Sequence, residues 1–478
     1  ICWTTNLRVN AGMPSFTSTV GSYAYSGGSG TEPSPYIIKT QQDLYNIRFN
    51  KSASYKLVND ITYDGAWCCI GDTADPFTGK IDGNHHTVTF KAVNGYSGKS
   101  GFIGHGENCY VKNLNITVSK PFTASGNEYE KLKYVGMVIA YGRNVNIENC
   151  IWDGDISVSA NYVYAGGIAG DVTGTVTGCQ SFGTLAVTTD TMSAEHSAAG
   201  GIVGRIGGTV NASKSEMNID INGVQSGGLS ETGGICGILT GTIQNSFYSG
   251  EAVNEYATEK TYTGGLAGVA EGDINTSYSN ARIVSSGVND GGIAGNLYNG
   301  LWDNAYFNPD KADDNGIGLT VEGENEFTAS GLLNTFRNAG DTRYIWTSDR
   351  ETGMMTLLHI TPEWVIDNGF TKLALKSNSD TCETYYTTDG SNPIGSGVKY
   401  EKPFFCDDLS TLKYYAKDGG VSTDIFDYGQ AHISIYPIQF TEMPKNQNNA
   451  AITSENISET TAVTVNFISD ITDTVKLY

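Results

Sequence analysis

Five stretches of this chain repeat one pattern: Gly166-Gly167-Ile168-Ala169-Gly170, Gly200-Gly201-Ile202-Val203-Gly204, Gly233-Gly234-Ile235-Cys236-Gly237, Gly264-Gly265-Leu266-Ala267-Gly268 and Gly291-Gly292-Ile293-Ala294-Gly295. Looser copies stand at Gly101-Phe102-Ile103-Gly104 and Gly136-Met137-Val138. The glycine before the first apolar residue falls at 101, 136, 167, 201, 234, 265 and 292, giving spacings of 35, 31, 34, 33, 31 and 27. A period of roughly 32 residues is that of a solenoid. Each copy continues with a small turn and a β-branched residue, as in Gly174-Thr175-Val176, Gly208-Thr209-Val210 and Gly241-Thr242-Ile243. Three residues further on comes a small side chain: Cys179, Ser213, Ser246 and Ser277, with Cys150 and Ala305 by alignment. Short apolar runs punctuated by Gly, Asn, Asp and Thr read as strands rather than helices. Three short strands and three turns per coil make a right-handed parallel β-helix whose coils stack about 4.8 Å apart. Ile168, Ile202, Ile235, Leu266 and Ile293 then form an inward aliphatic ladder. The paired glycines permit positive φ or a close backbone approach at a corner. A phosphate cradle is disfavoured, because no helix follows and no Lys-Ser or Lys-Thr closes the motif.

Composition agrees with an ordered, glycine-cornered protein. Of 478 residues 59 are glycine but only 11 are proline, without a collagen period, and 28 tyrosines contribute to the core. The net charge of −22 disfavours nucleic acid and anionic lipid as partners. The sequence contains no apolar run long enough for a transmembrane helix. Residue 1 is Ile, which fits a processed secretory chain or a trimmed one. The nine cysteines lack C-x-x-C spacing and do not form a zinc set, and the adjacent Cys68 and Cys69 are expected to be reduced or separately paired.

The glycine strings resemble the GLUG-motif repeats of large secreted and surface proteins of bacteria. The opening region is similar too, in Asn59-Asp60-Ile61, in Pro76-Phe77-Thr78-Gly79-Lys80-Ile81-Asp82-Gly83-Asn84, and in Val111-Lys112-Asn113-Leu114, with a closing Tyr344-Ile345-Trp346. The resemblance covers about residues 35 to 358 and implies architecture and a bacterial, secreted or cell-surface location, not an activity. Beyond it, Tyr385-Tyr386-Thr387-Thr388-Asp389-Gly390 and Leu412-Lys413-Tyr414-Tyr415-Ala416-Lys417 look like the Ig-like module at the C-terminus of chitobiases and hexosaminidases. That module is an accessory in the families that carry it. The expected organisation is an all-β chain. An N-terminal segment or cap spans 1–34, the β-helix 35–308, and a last coil and cap 309–360. A small Ig-like β-sandwich follows at 361–438, then a tail over 439–478 that donates a strand to a neighbour or begins a further module. Cys382 and Cys406 each stand beside a strand of the module and are the pair expected to bridge.

A glycosidase of this architecture needs carboxylates converging at about 5–9.5 Å. Asp153 and Asp155 beside Trp152, Asp171 one coil later, and Asp303 beside Trp302 are the candidates, although they do not repeat in register. A uronate lyase base would come from Lys133, Arg143, Arg205, Lys214 or Arg282, which are scattered. His85 and His86 read as turn residues with structural hydrogen bonds, and His105 and His196 as isolated surface residues. No cofactor is expected; Asp310, Asp313 and Asp314 loosely echo a calcium loop but lack its D-x-D-x-D-G order. Trp152, Tyr162, Tyr164, Tyr262, Tyr298 and Trp302 are the candidates for contact with a glycan or partner, since sugars and proteins both stack on such side chains. Two readings stand. One is a non-catalytic structural or adhesive surface protein, open to filament or sheath formation, whose partner is a glycan, a surface protein or another copy of the chain. The other is a carbohydrate-active enzyme, glycoside hydrolase or polysaccharide lyase, or a glycan-binding fragment of one.

Overall fold

The computed structural model describes residues 24–427, apart from 95–97, 126–131, 190–195, 224–228, 255–260, 286–288, 299, 313–318, 321–332, 334–335, 338–344, 352–354 and 407–408. The tail at 439–478 and the expected calcium ligands Asp313 and Asp314 lie outside the described residues. The chain divides into two compact units, Ile1–Ala339 and Gly340–Tyr478.

The first unit is a parallel β-solenoid. A seven-stranded ladder joins Lys99–Ser100, Leu132–Gly136, Tyr162–Gly166, His196–Gly200, Leu229–Gly233, Thr261–Gly264 and Asp290–Gly291, one strand per coil. A six-stranded ladder joins Phe122–Ser125, Ile156–Ala160, Thr184–Thr189, Asn218–Gly223, Glu251–Asn254 and Arg282–Ser285. One large sheet carries the remaining strands of every coil. The pairings are in register: Ala165 lies beside Ala199, Val176 beside Val210, and Val158 beside Val187. Helix Gln41–Asn46 covers the start of the stack. Its N-terminus is closed by a capping box between Thr40 and Asp43, and its Leu44 is fully buried.

The repeat reads directly into the core. Ile168, Ile202, Ile235, Leu266 and Ile293 are all fully buried, and each of the first four donates its amide to the carbonyl of its successor one coil on, at 2.8–3.0 Å. The small-residue column is a hydroxyl relay. Ser213, Ser246 and Ser277 accept the amides of Cys179, Ser213 and Ser246 at 3.1–3.2 Å, and donate to Asn211, Gln244 and Asn275 carbonyls at 2.8–3.0 Å. No small apolar residue could replace these serines without leaving an amide unpaired. A further inward column runs Trp152, Ser181, Ser215, Tyr248, Ser279, Phe307, so that bulky residues are interleaved with small ones.

The two explanations offered for glycine separate cleanly. The repeat glycines are required for space: a Cβ on Gly167 would sit 2.6 Å from the Gly201 carbonyl oxygen and 2.8 Å from both Ser181 Cβ and Met217 Sδ. Left-handed backbone occurs instead at another corner, occupied coil by coil by Asn113, Asn149, Gly178, Ala212, Asn245, Thr276 and Asn304, with φ between 46° and 66°. Asparagine tolerates that region through local hydrogen bonding, whereas a β-branched side chain does not. Thr276→Asn is therefore expected to stabilise the solenoid by about 1 kcal/mol, read as a higher urea midpoint at unchanged slope.

The second unit is a small antiparallel β assembly. Ile360–Asp367 pairs with Phe370–Ser377, and Glu383–Thr387 pairs with Lys413–Asp418, which also pairs with Val421–Ser422 and Phe426–Asp427. Its core holds Ile345, Leu358, Leu373, Leu375, Leu412 and Ala416. The hairpin of Trp346–Ser348 and Met355–Leu357, expected in the solenoid cap, thus falls within this unit. Buried Asp418 ties it down, accepting hydrogen bonds from Thr347, from Ser379 Oγ at 2.9 Å and from Thr381 Oγ1 at 2.7 Å. The expected Cys382–Cys406 bridge is not formed, and both residues are thiols. The Cys382 sulfur turns instead to the Thr384 hydroxyl at 3.7 Å. In the adjacent cysteine pair, Cys68 is disulfide-bonded and Cys69 is a thiol.

Candidate functional site

At each Gly-Gly-Ile turn the seven-stranded ladder meets the large sheet so closely that a Cβ on Gly170 would lie 2.9 Å from Val135 N and 3.0 Å from Tyr164 O. The apex of the turn points inward, towards Met217 and Ser181. The two arms therefore enclose an outward-opening elbow that runs along the stack. One wall is the column Lys99, Tyr134, Tyr164, Ala198, Glu231, Tyr262. The other is His105, Tyr141, Asp171, Arg205, Ile238, Val269, Asn296.

These walls interlock. Asp171 is almost fully buried (2 % exposed) and is held between two guanidinium groups, Arg205 at 2.6 and 3.1 Å and Arg143 at 3.3 and 3.4 Å. Arg205 lies 4.6 Å over the Tyr164 ring and Arg143 4.2 Å over the Tyr141 ring. Tyr134 packs edge-on to Tyr141 at 5.0 Å, and burial together with the Asp171 carboxylate pushes its hydroxyl up to about 12, keeping it a neutral donor. Farther along, Glu231 is 1 % exposed and its Oε1 is 2.5 Å from Nδ1 of half-exposed His196. Burial raises the Glu231 pKa, and that hydrogen bond raises the pKa of His196. Tyr262 is bonded through its side chain to Tyr298 and Asn296, and Tyr298 is 56 % exposed.

Of the expected carboxylates, Asp171 alone enters this elbow, and it is neutralised there. Asp153 is exposed on a strand paired with Gln180–Phe182. Exposed Asp155 accepts from the Thr184 amide and hydroxyl at 3.0 and 2.8 Å. Asp303 pairs with Asn275, five coils from Asp153 and so roughly 24 Å away at ~4.8 Å per coil. Trp152 cannot serve as a contact residue, because its ring fills the inward column and is fully buried. Tyr162 is also buried, at 6 % exposure. Trp302 belongs to the inward position of Ile274 rather than to a projecting loop, although 37 % of it remains exposed. Tyr164 and Tyr262 stand three coils apart on one elbow wall, with Tyr298 beside Tyr262. His105, expected at the surface, is 4 % exposed and packs edge-on to Tyr141 at 4.8 Å. Asp310 is exposed and lines a shallow pocket of about 600 Å³ with Glu251, Arg282, Asp290 and Lys311. Among the described residues no three His, Cys, Asp or Glu side chains gather as a metal site.

The sequence reading missed Tyr134, Tyr141 and Glu231, and took Arg143 and Arg205 as scattered. Their signal lies in the repeat itself: the elbow residue of the large sheet directly follows the closing glycine, as Asp171 follows Gly170 and Arg205 follows Gly204, and its counterpart stands two positions before the first glycine of a pair.

Residues 368–427 match the family described as Chitobiase/beta-hexosaminidase C-terminal domain. The match covers the strands of the second unit from Phe370 onward and supports its Ig-like reading. A protein of Evansella cellulosilytica provisionally named Gly-rich membrane protein is 36 % identical over 109 residues, which are 20 % of this chain and 12 % of that protein. A crystal structure from Bacteroides ovatus, provisionally described as an immunoglobulin A1 protease, aligns over 70 % of this chain and 95 % of its own with 17 % identity and a TM-score of 0.40. No described helix is long and apolar enough to cross a membrane.

Proposed function

We propose that this chain is a secreted or cell-surface structural and adhesive solenoid of GLUG type that holds a glycan-bearing partner on the rim of its elbow without catalysing a reaction. The observation that carries this reading is the fate of Asp171. The carboxylate best placed for chemistry is sealed between Arg143 and Arg205, which makes it a strut tying neighbouring coils of one wall together rather than an acid or base. The rim carries what a saccharide ring stacks on, above all Tyr298, 56 % exposed and bonded to Tyr262. The chitobiase-type module at 368–427 supports a carbohydrate-rich setting, and it equally supports the second reading, a carbohydrate-active enzyme or part of one.

Affinity electrophoresis against a panel of neutral and acidic polysaccharides tests the proposal. Retardation of the full chain by at least one polysaccharide, weakened about tenfold or more by Tyr298→Ala, is the expected result. Depolymerisation of any panel member by the purified chain overturns the non-catalytic reading. Retardation that Tyr298→Ala leaves intact removes the elbow rim as the binding surface.

A further inference from the structure

The interior between the seven- and six-stranded ladders changes character along the stack. On the seven-stranded side, the inward column runs Val135, Ala165, Ala199 and then Thr232, Thr263, Asp290. Ser230 stands two residues before Thr232 on the same inward face and is in register with Thr261. On the six-stranded side, the column runs Val158, Val187, Ile221. The register Ile219–Ala252 and Asp220–Val253 puts Asn254 in the next place. The two ladders pack against each other in these coils, strand Glu251–Asn254 touching both Leu229–Gly233 and Thr261–Gly264. An aliphatic interior thus becomes an amide-and-hydroxyl interior within two coils.

Four of these side chains have no hydrogen-bond partner in the protein. Ser230 Oγ, Thr232 Oγ1, Thr263 Oγ1 and both Oδ1 and Nδ2 of Asn254 are buried without a hydrogen bond, on side chains 0–6 % exposed. One coil earlier, Ser197, in register with Ser230 on the same face, is engaged: its Oγ accepts the Val163 amide at 3.3 Å. A buried amide or hydroxyl left unpaired is costly, and native interiors satisfy such groups with ordered water. A route inward is also present. Asp290 follows Thr263 in the same column, is 7 % exposed, and lines the 600 Å³ pocket that opens beside Ile283 and Lys311.

We propose that the solenoid holds a file of bound water molecules between its two ladders, entering past Asp290 and bridging Thr263, Asn254, Thr232 and Ser230, while the apolar coils of Val135, Ala165 and Ala199 stay dry. The waters give Asn254 both an acceptor for its amide N–H and a donor for its carbonyl, which neighbouring threonines on the opposite ladder supply only through a bridge. This inference is independent of what binds the elbow.

Two measurements on the full chain test it. A crystal structure at high resolution is expected to show enclosed water density within hydrogen-bond distance of Asn254 and Thr263; an interior without such density overturns the proposal. Thr263→Val keeps the side-chain shape and removes one hydroxyl. With water present it strands a bridging molecule, so the melting temperature is expected to fall. In a dry interior it relieves an unpaired group, so a rise in melting temperature counts against the proposal. The same comparison with Asn254→Leu reads the larger amide, and Thr263→Val covers the case in which that bulkier change does not fold.

Discussion

Gly167→Ala is expected to cost the solenoid more than about 3 kcal/mol, the upper range for overpacking a closed interior. The added methyl would meet the Gly201 carbonyl oxygen at 2.6 Å, with Ser181 Cβ and Met217 Sδ at 2.8 Å. The oxygen cannot retreat, because it accepts the Gly167 amide at 3.0 Å in the turn-to-turn ladder. Displacing it would separate two coils, and the strain would pass to the Ile168–Ile202 step above the same corner. Gly207→Ala is the internal control. Its Cβ would meet only the Thr173 methyl at 3.2 Å and the Thr240 hydroxyl at 3.3 Å, side-chain atoms that can rotate away. Circular dichroism during urea unfolding is expected to show Gly167→Ala with a strongly lowered midpoint or no folded baseline, and Gly207→Ala within about 1 kcal/mol of the parent. Equal losses in the two variants would mean that the repeat glycines are not there for coil-to-coil approach.

Asp171→Ala carries the second large effect. Removing the carboxylate leaves Arg143 and Arg205, which flank it along one wall of the elbow, without that counter-charge. Breaking a buried ion pair from one side costs about 3–5 kcal/mol. Here the arginine side chains are 36–37 % exposed and regain part of their hydration, so about 2–3 kcal/mol is expected. Adding Arg205→Leu to Asp171→Ala removes one stranded cation and is expected to recover part of the loss, which a double-mutant cycle measures directly. The result also bears on function. A strut is expected to show up as lost stability with polysaccharide retardation retained per folded molecule, whereas a catalytic Asp171 would lose turnover while the chain stayed folded.

The Gly-Gly-Ile-x-Gly period sufficed to place seven coils, the inward aliphatic column and the small-residue column, because each is a consequence of one kind of residue recurring at one step of the stack. Stacking converts sequence period into spatial adjacency, so Ile168 and Ile202 meet whatever surrounds them. The left-handed corner was legible in principle too, in Asn113, Asn149, Asn245 and Asn304, but Ala212 and Thr276 obscure the asparagine signal at that corner.

What the period could not convey is the direction in which the backbone bends between strands. Trp152 reads as an exposed aromatic beside two aspartates, yet the strand phase turns it inward over Ser181. Asp171 reads as a candidate acid until the elbow brings Arg143 from one coil and Arg205 from another against it, at sequence separations of 28 and 34 residues. The sequence by itself determined the repeat, the parallel stacking and the presence of a second small β module. Only the tertiary structure decided which side of each strand is wet, because that depends on the inward kink at the paired glycines, and a glycine repeat states that two backbones approach without stating on which side of the sheet the space is lost.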